Sequence, residues 1–131
     1  MTEDQRRATV DRDSVCAGDD CESHAASFLT SSSVSAIEFL QEALRASPLA
    51  GIACGQATWL IDTAGAGQAC IGVIAEQWAR PKLLIDEQTS VEKLFGERAA
   101  TVYFRYWCQA SPEAVFEALR AGKALPPRFG P

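Results

Sequence analysis

Cys16, Cys21 and His24 fall within nine residues, and thiolate with imidazole is a donor set suited to Zn²⁺, which takes four N or S ligands. Cys54 is the candidate fourth ligand. The spacing, C-x4-C-x2-H, has no second paired knuckle and is a weak metal signal, and the bland reading is two loop thiols beside a surface imidazole. His24 is the single histidine, so a Cys-His or Ser-His pair must use it as base, with Cys21, Cys16, Cys54 or a serine as nucleophile. No G-x-S-x-G elbow occurs, and nothing selects among these nucleophiles.

Asp11, Asp13, Asp19, Asp20 and Glu22 place five carboxylates in twelve residues. Such oxygens suit Ca²⁺ or Mg²⁺, but the EF-hand spacing is absent. A glycosidase pair would need an apolar pocket to raise one carboxyl pKa, and no apolar run adjoins these acids. Two readings remain: a solvated acidic edge, or a docking surface whose potential steers and orients a basic protein. Trp78, in Glu76-Gln77-Trp78-Ala79-Arg80-Pro81, is expected on a loop leaving a strand, where an indole can anchor a partner. Trp59, Tyr103, Tyr106 and Trp107 read as core. Gly65-Ala66-Gly67 is a turn, since neither glycine-rich phosphate motif is present.

The 131 residues, 47% apolar and 22% charged, suit one folded domain over 1–131, with 1–7 and 123–131 as irregular tails. A net charge of −5 without a cluster of Lys and Arg disfavours nucleic acid and anionic membrane. The apolar stretches are too short to cross a bilayer. The first residues lack the layout of a secretory signal, and the five cysteines form an odd set, so free thiols in a reducing cytoplasm are expected. No cofactor is implied.

The elements that must position these residues follow from pattern. Residues 8–15 and 24–30 read as two strands of a loose hairpin. Ser35 and Glu38 have capping-box spacing, Val34 is placed to staple onto Phe39, and Ile37, Leu40 and Leu44 form a stripe ended by Pro48. Strands are expected over 56–62, 69–77 and, shorter, 82–86. Thr89 and Glu92 repeat the capping-box spacing before a helical turn at 90–95 that Gly96 stops. Thr101 to Cys108, TVYFRYWC, is the strongest strand, apolar on both faces as a central strand would be. Ser111-Pro112-Glu113 opens a helix that Gly122 closes.

The expected architecture is α+β, one mixed sheet of five or six strands packed by two helices. Over roughly residues 8–108 the order of elements resembles the ubiquitin-like β-grasp. For a modifier or sulfur carrier that resemblance would imply a terminal diglycine, and this sequence departs from it with Phe129-Gly130-Pro131. The functional expectation is therefore a small acidic protein-binding domain with a basic protein partner, through Asp11, Asp13, Asp19, Asp20, Glu22 and Trp78. Its size and charge have the general character of bacterial immunity proteins that cap a basic toxin such as a nuclease. The alternatives are a zinc- or thiol-dependent enzyme using Cys16, Cys21 and His24, and an accessory subunit of a larger complex.

Overall fold

The structure, a computed structural model, describes residues 5–13, 25–48, 57–64, 69–75, 78, 80–107 and 110–126. Its elements are β1 (Gln5–Arg12), β2 (Ala26–Ser31), α1 (Ala36–Ala46), β3 (Thr58–Asp62), β4 (Cys70–Ala75), β5 (Lys82–Leu83), α2 (Val91–Phe95), β6 (Ala100–Tyr106) and α3 (Pro112–Ala121). The six strands form one mixed sheet in the order β2-β1-β6-β3-β4-β5. β1 runs parallel to β6, and the other neighbours pair antiparallel. The described residues thus form an α+β fold with three helices, the short α2 after β5 being the one beyond the two expected.

β1 begins at Gln5, inside the stretch whose polarity marked it as a tail, because pairing to β2 from Gln5↔Ser31 onward satisfies that backbone. Its core residues are Ala8 and Val10, so Thr9 and Asp11 point to the opposite face. β3 is buried along its whole length, as an interior strand must be. β5 shrinks to Lys82–Leu83 against the longer run expected. A register shift at Ile61/Asp62 breaks the simple alternation of β4, so Ile71 and Ile74 join one core while Cys70 and Val73 lie on the other side.

One face of the sheet carries the main core. α1 brings Phe39, Leu40 and Ala43 onto Ala8, Val10, Trp59, Ile61, Val102 and Phe104, and α2 adds Val91 and Phe95. The rings of Phe39 and Phe95 meet edge to face, 5.4 Å between centroids. The two helix starts support each other. Ser35 and Ser90 are both N-caps, accepting from Glu38 N and Lys93 N. Their flanking residues exchange main-chain bonds, Ala36 N to Thr89 O at 2.7 Å and Val91 N to Val34 O at 2.9 Å. First-turn N–H groups that a lone helix leaves unsatisfied are thereby used. This also moves the second cap from the expected Thr89 to Ser90, since Thr89 spends its carbonyl on α1.

The other face is covered only in part. α3 packs Val115, Phe116 and Leu119 toward Leu60 and Val73 of β3 and β4. Ser111 caps it, Pro112 fills its first turn, and Gly122, at φ 70°, closes it in the left-handed region that favours glycine. Residues 123–126 are irregular and docked: Trp107 Nε1 donates to Pro126 O at 2.8 Å and Leu125 joins the same cluster. No helix among the described residues lies over the β2-β1-β6 half of this face.

Candidate functional site

Alternation in β1, β2 and β6 sets what the uncovered half displays. The register pairs Arg7 with Leu29, Thr9 with Ser27 and Thr101, and Asp11 with Tyr103, and all seven project to this side. Beside them lies a groove of about 510 Å³ lined in part by Thr9, Asp11, Thr63, Arg98, Thr101 and Tyr103. Its rim is fixed by hydrogen bonds. Thr101 Oγ1 donates to Thr63 O at 3.1 Å, tying β6 to the end of β3. Arg98 donates to Leu94 O and Phe95 O, capping the carbonyl end of α2, and its own carbonyl accepts from Arg6.

Two of the acids expected to face a partner have different duties. Asp13 is tied into the fold: Oδ1 accepts from the Tyr103 hydroxyl at 2.5 Å, Oδ2 accepts from Tyr106 N at 2.9 Å, and its own N–H donates to Phe104 O at 3.0 Å. It therefore extends the β1–β6 junction beyond Arg12. Asp11 accepts only a short-range bond from Arg12 N at 2.8 Å among its described contacts, and its carboxylate borders the groove. Tyr103 lies among Asp11, Asp13 and Asp62. Burial first, then the bond to Asp13 and the three carboxylate charges, push its phenol above the ordinary value of 10. It is held neutral and donates.

Farther along the same face, Asp62 has no exposed side-chain surface and is gripped by Arg105, Nε to Oδ2 at 3.0 Å. The guanidinium also lies over the Trp107 ring at 5.4 Å. Cys70, opposite Asp62 in register, is a free thiol that contacts Gly72 O at 3.6 Å. Burial dominates in raising its pKa, with the Asp62 charge adding and Arg105 opposing. A thiol held protonated is a poor nucleophile.

Trp78 is half-buried and internally engaged: its Nε1 donates to Glu113 Oε2 at 3.2 Å, and Lys82 Nζ sits 4.9 Å from its ring. It fastens the region after β4 to α3. Asp19, Asp20, Glu22, Cys16, Cys21, His24 and Cys54 lie outside the described residues. Among the described residues no group of three His, Cys, Asp or Glu side chains is placed to hold a metal ion.

Sequence reasoning missed Tyr103, Arg105 and Asp62 as one polar face. The signal was present in β6, where Thr101, Tyr103 and Arg105 alternate with Ala100, Val102 and Phe104, but the aromatic character of the run hid it. Comparison with protein-family models, with curated proteins and with solved structures gave no match to this chain. None of them supports the ubiquitin-like resemblance read from the order of elements.

Proposed function

We propose that this chain is a small protein-binding domain that docks a basic partner on the β2-β1-β6 half of its sheet, with Asp11 receiving a Lys or Arg side chain. The observation that carries the reading is that no helix among the described residues covers that face, and Asp11, Thr9 and Tyr103 line a groove there. A neutral phenol and a carboxylate on a wall built from paired strands form a rigid recognition patch. The net charge of −5 favours encounter with a cationic surface, and Asp19, Asp20 and Glu22 add charge in the connection that follows Asp13 in the chain.

Within that class, the finer proposal is an immunity-type protein that neutralises a basic toxin such as a nuclease by covering the surface that would bind phosphates. The support is charge and size together with the groove. Affinity capture from a lysate of the native host, followed by identification of what is retained, tests it. One basic protein held in near-stoichiometric amount at low salt supports the reading, and retention of no protein removes it. The competing enzyme reading depends on Cys16, Cys21 and His24, which lie outside the described residues.

A further inference from the structure

The two edges of the sheet are built differently. At one, β5 is two residues long and includes Lys82, with Arg80, Asp86 and Glu87 nearby, so an incoming strand meets little free backbone and several charges. At the other, β2 runs for six residues, and from Ser23 to Ile37 the sequence contains no Asp, Glu, Lys, Arg or Pro. In a chain that is 22% charged, the residues of this edge strand themselves carry none of the charges or prolines that discourage strand addition. Among the described residues β2 pairs only with β1, which leaves alternate backbone groups of Ala26–Thr30 facing outward. Leu29, on the uncovered face, is 57% exposed and is the one large exposed hydrophobic side chain among the described residues.

We propose that β2 is a self-pairing edge through which two copies of this chain join as an antiparallel dimer, with Leu29 set against its own symmetry mate. Charge argues for a second copy as the occupant. A chain of net charge −5 repels itself over most of its surface, and a neutral strand is the place where two copies approach without like charges opposed. The strand's own residues offer an acidic or basic partner no ion pair; the nearest charges are Arg7, one strand in beside Leu29, and Glu42 of α1, which accepts from Thr30 Oγ1 at 2.7 Å.

Symmetry then fixes the register. A twofold axis normal to the sheet keeps each side chain on its own face, so Ser27, Leu29 and Ser31 of both copies share the uncovered face while Phe28 and Thr30 stay with the α1 side. Placing Leu29 against Leu29 sets Ser27 opposite Ser31 and Phe28 opposite Thr30. The apolar side chain gains cover and the hydroxyls face each other, pairs that suit adjacent strands. The sheet becomes continuous across the dimer, and the two grooves lie on the same side of it.

Sedimentation analysis of the full chain over a range of concentrations, under reducing conditions to exclude cysteine cross-links, reads this directly. The wild type is expected to dimerise, and Leu29→Lys, which opposes two like charges, to weaken the dimer roughly tenfold or more while leaving circular dichroism unchanged, with Tm unchanged at dilutions where both proteins are monomeric. Hydrogen exchange supplies a readout free of substitution, with amides in Ala26–Thr30 gaining protection as the protein is concentrated. A monomer at the highest soluble concentration overturns the proposal, and so does a dimer that ignores Leu29→Lys and leaves those amides unprotected. This self-association is separate from the docking of a basic partner, since Asp11 variants report on one and Leu29 variants on the other.

Discussion

The Asp62 carboxylate, without exposed side-chain surface, is held by the Arg105 guanidinium at 3.0 Å between Oδ2 and Nε and 3.4 Å between Oδ1 and Nη2. This forked contact joins the last residue of β3 to β6 on the diagonal, since Asp62 stands opposite Tyr103 and Arg105 opposite Leu60. A buried carboxylate is tolerated while paired and costly once stripped of its cation. Arg105→Ala is therefore expected to lower unfolding free energy by about 3 kcal/mol, near the low end of the range for broken buried pairs because Arg105 is itself partly exposed. Adding Asp62→Ala to that variant should recover part of the loss. Urea denaturation of both variants checks the direction, and equal losses in the single and double variants would contradict it.

Tyr103 gives a pH dependence with a definite sign. Its folded-state pKa is raised, chiefly by burial and by the bond to Asp13, so the stability it contributes is complete below pH about 10. Above that value the unfolded chain loses the phenolic proton first, and stability falls as pH rises. Denaturation curves from pH about 8 to 11 should show this decline, and it should be shallower in Tyr103→Phe. The same substitution removes the donor to Asp13 and is expected to cost about 1–3 kcal/mol at neutral pH. Equal alkaline slopes in the two proteins would contradict the assignment.

Gly72 is needed where β4 meets β5. A Cβ built there falls 2.5 Å from Lys82 O and 2.9 Å from a methyl of Leu83, and the first of these is backbone. Gly72→Ala is expected to push β5 off its neighbour and to destabilise the fold by about 1–3 kcal/mol. Thermal unfolding measures the loss, and hydrogen exchange at Leu84 N, which bonds to Ile71 O at 2.7 Å, reports whether the edge has opened. An unchanged Tm with full protection at Leu84 would contradict the close-contact account.

Local signals explain which parts of this fold were legible. The caps Ser35 and Ser111 and the stops at Gly96 and Gly122 each act within a few residues, so their elements appeared where pattern placed them. Thr89 misled because its role depends on a bond to α1 from a segment more than fifty positions earlier in the chain, through Ala36 N. Gln5–Arg7 looked like a tail for the same reason: its partner is β2, and polarity alone says nothing of pairing. The site was less legible still. Asp13 was read as a surface charge, although Tyr103 and Tyr106 claim its two oxygens from 90 and 93 residues away. Asp62 looked like one more alternating position, and only its placement beside Arg105 makes it the buried member of a pair. Trp78 was read as an anchor for a partner, and its N–H is spent on Glu113, a residue 35 positions later that no local pattern points to.

The measurement that bears most directly on the central claim is affinity capture from native host lysate with three baits side by side: the wild type, Asp11→Arg and Glu117→Arg, at low and at high salt. Glu117 is exposed on α3, away from the groove beside β1, and serves as an equal change of charge elsewhere. The account predicts that the wild type and Glu117→Arg retain the same basic protein at low salt, that high salt releases it, and that Asp11→Arg retains at least tenfold less, about 1.4 kcal/mol in binding free energy. An empty wild-type column, or a partner retained equally by Asp11→Arg, would contradict the claim that this face of the sheet docks a basic protein.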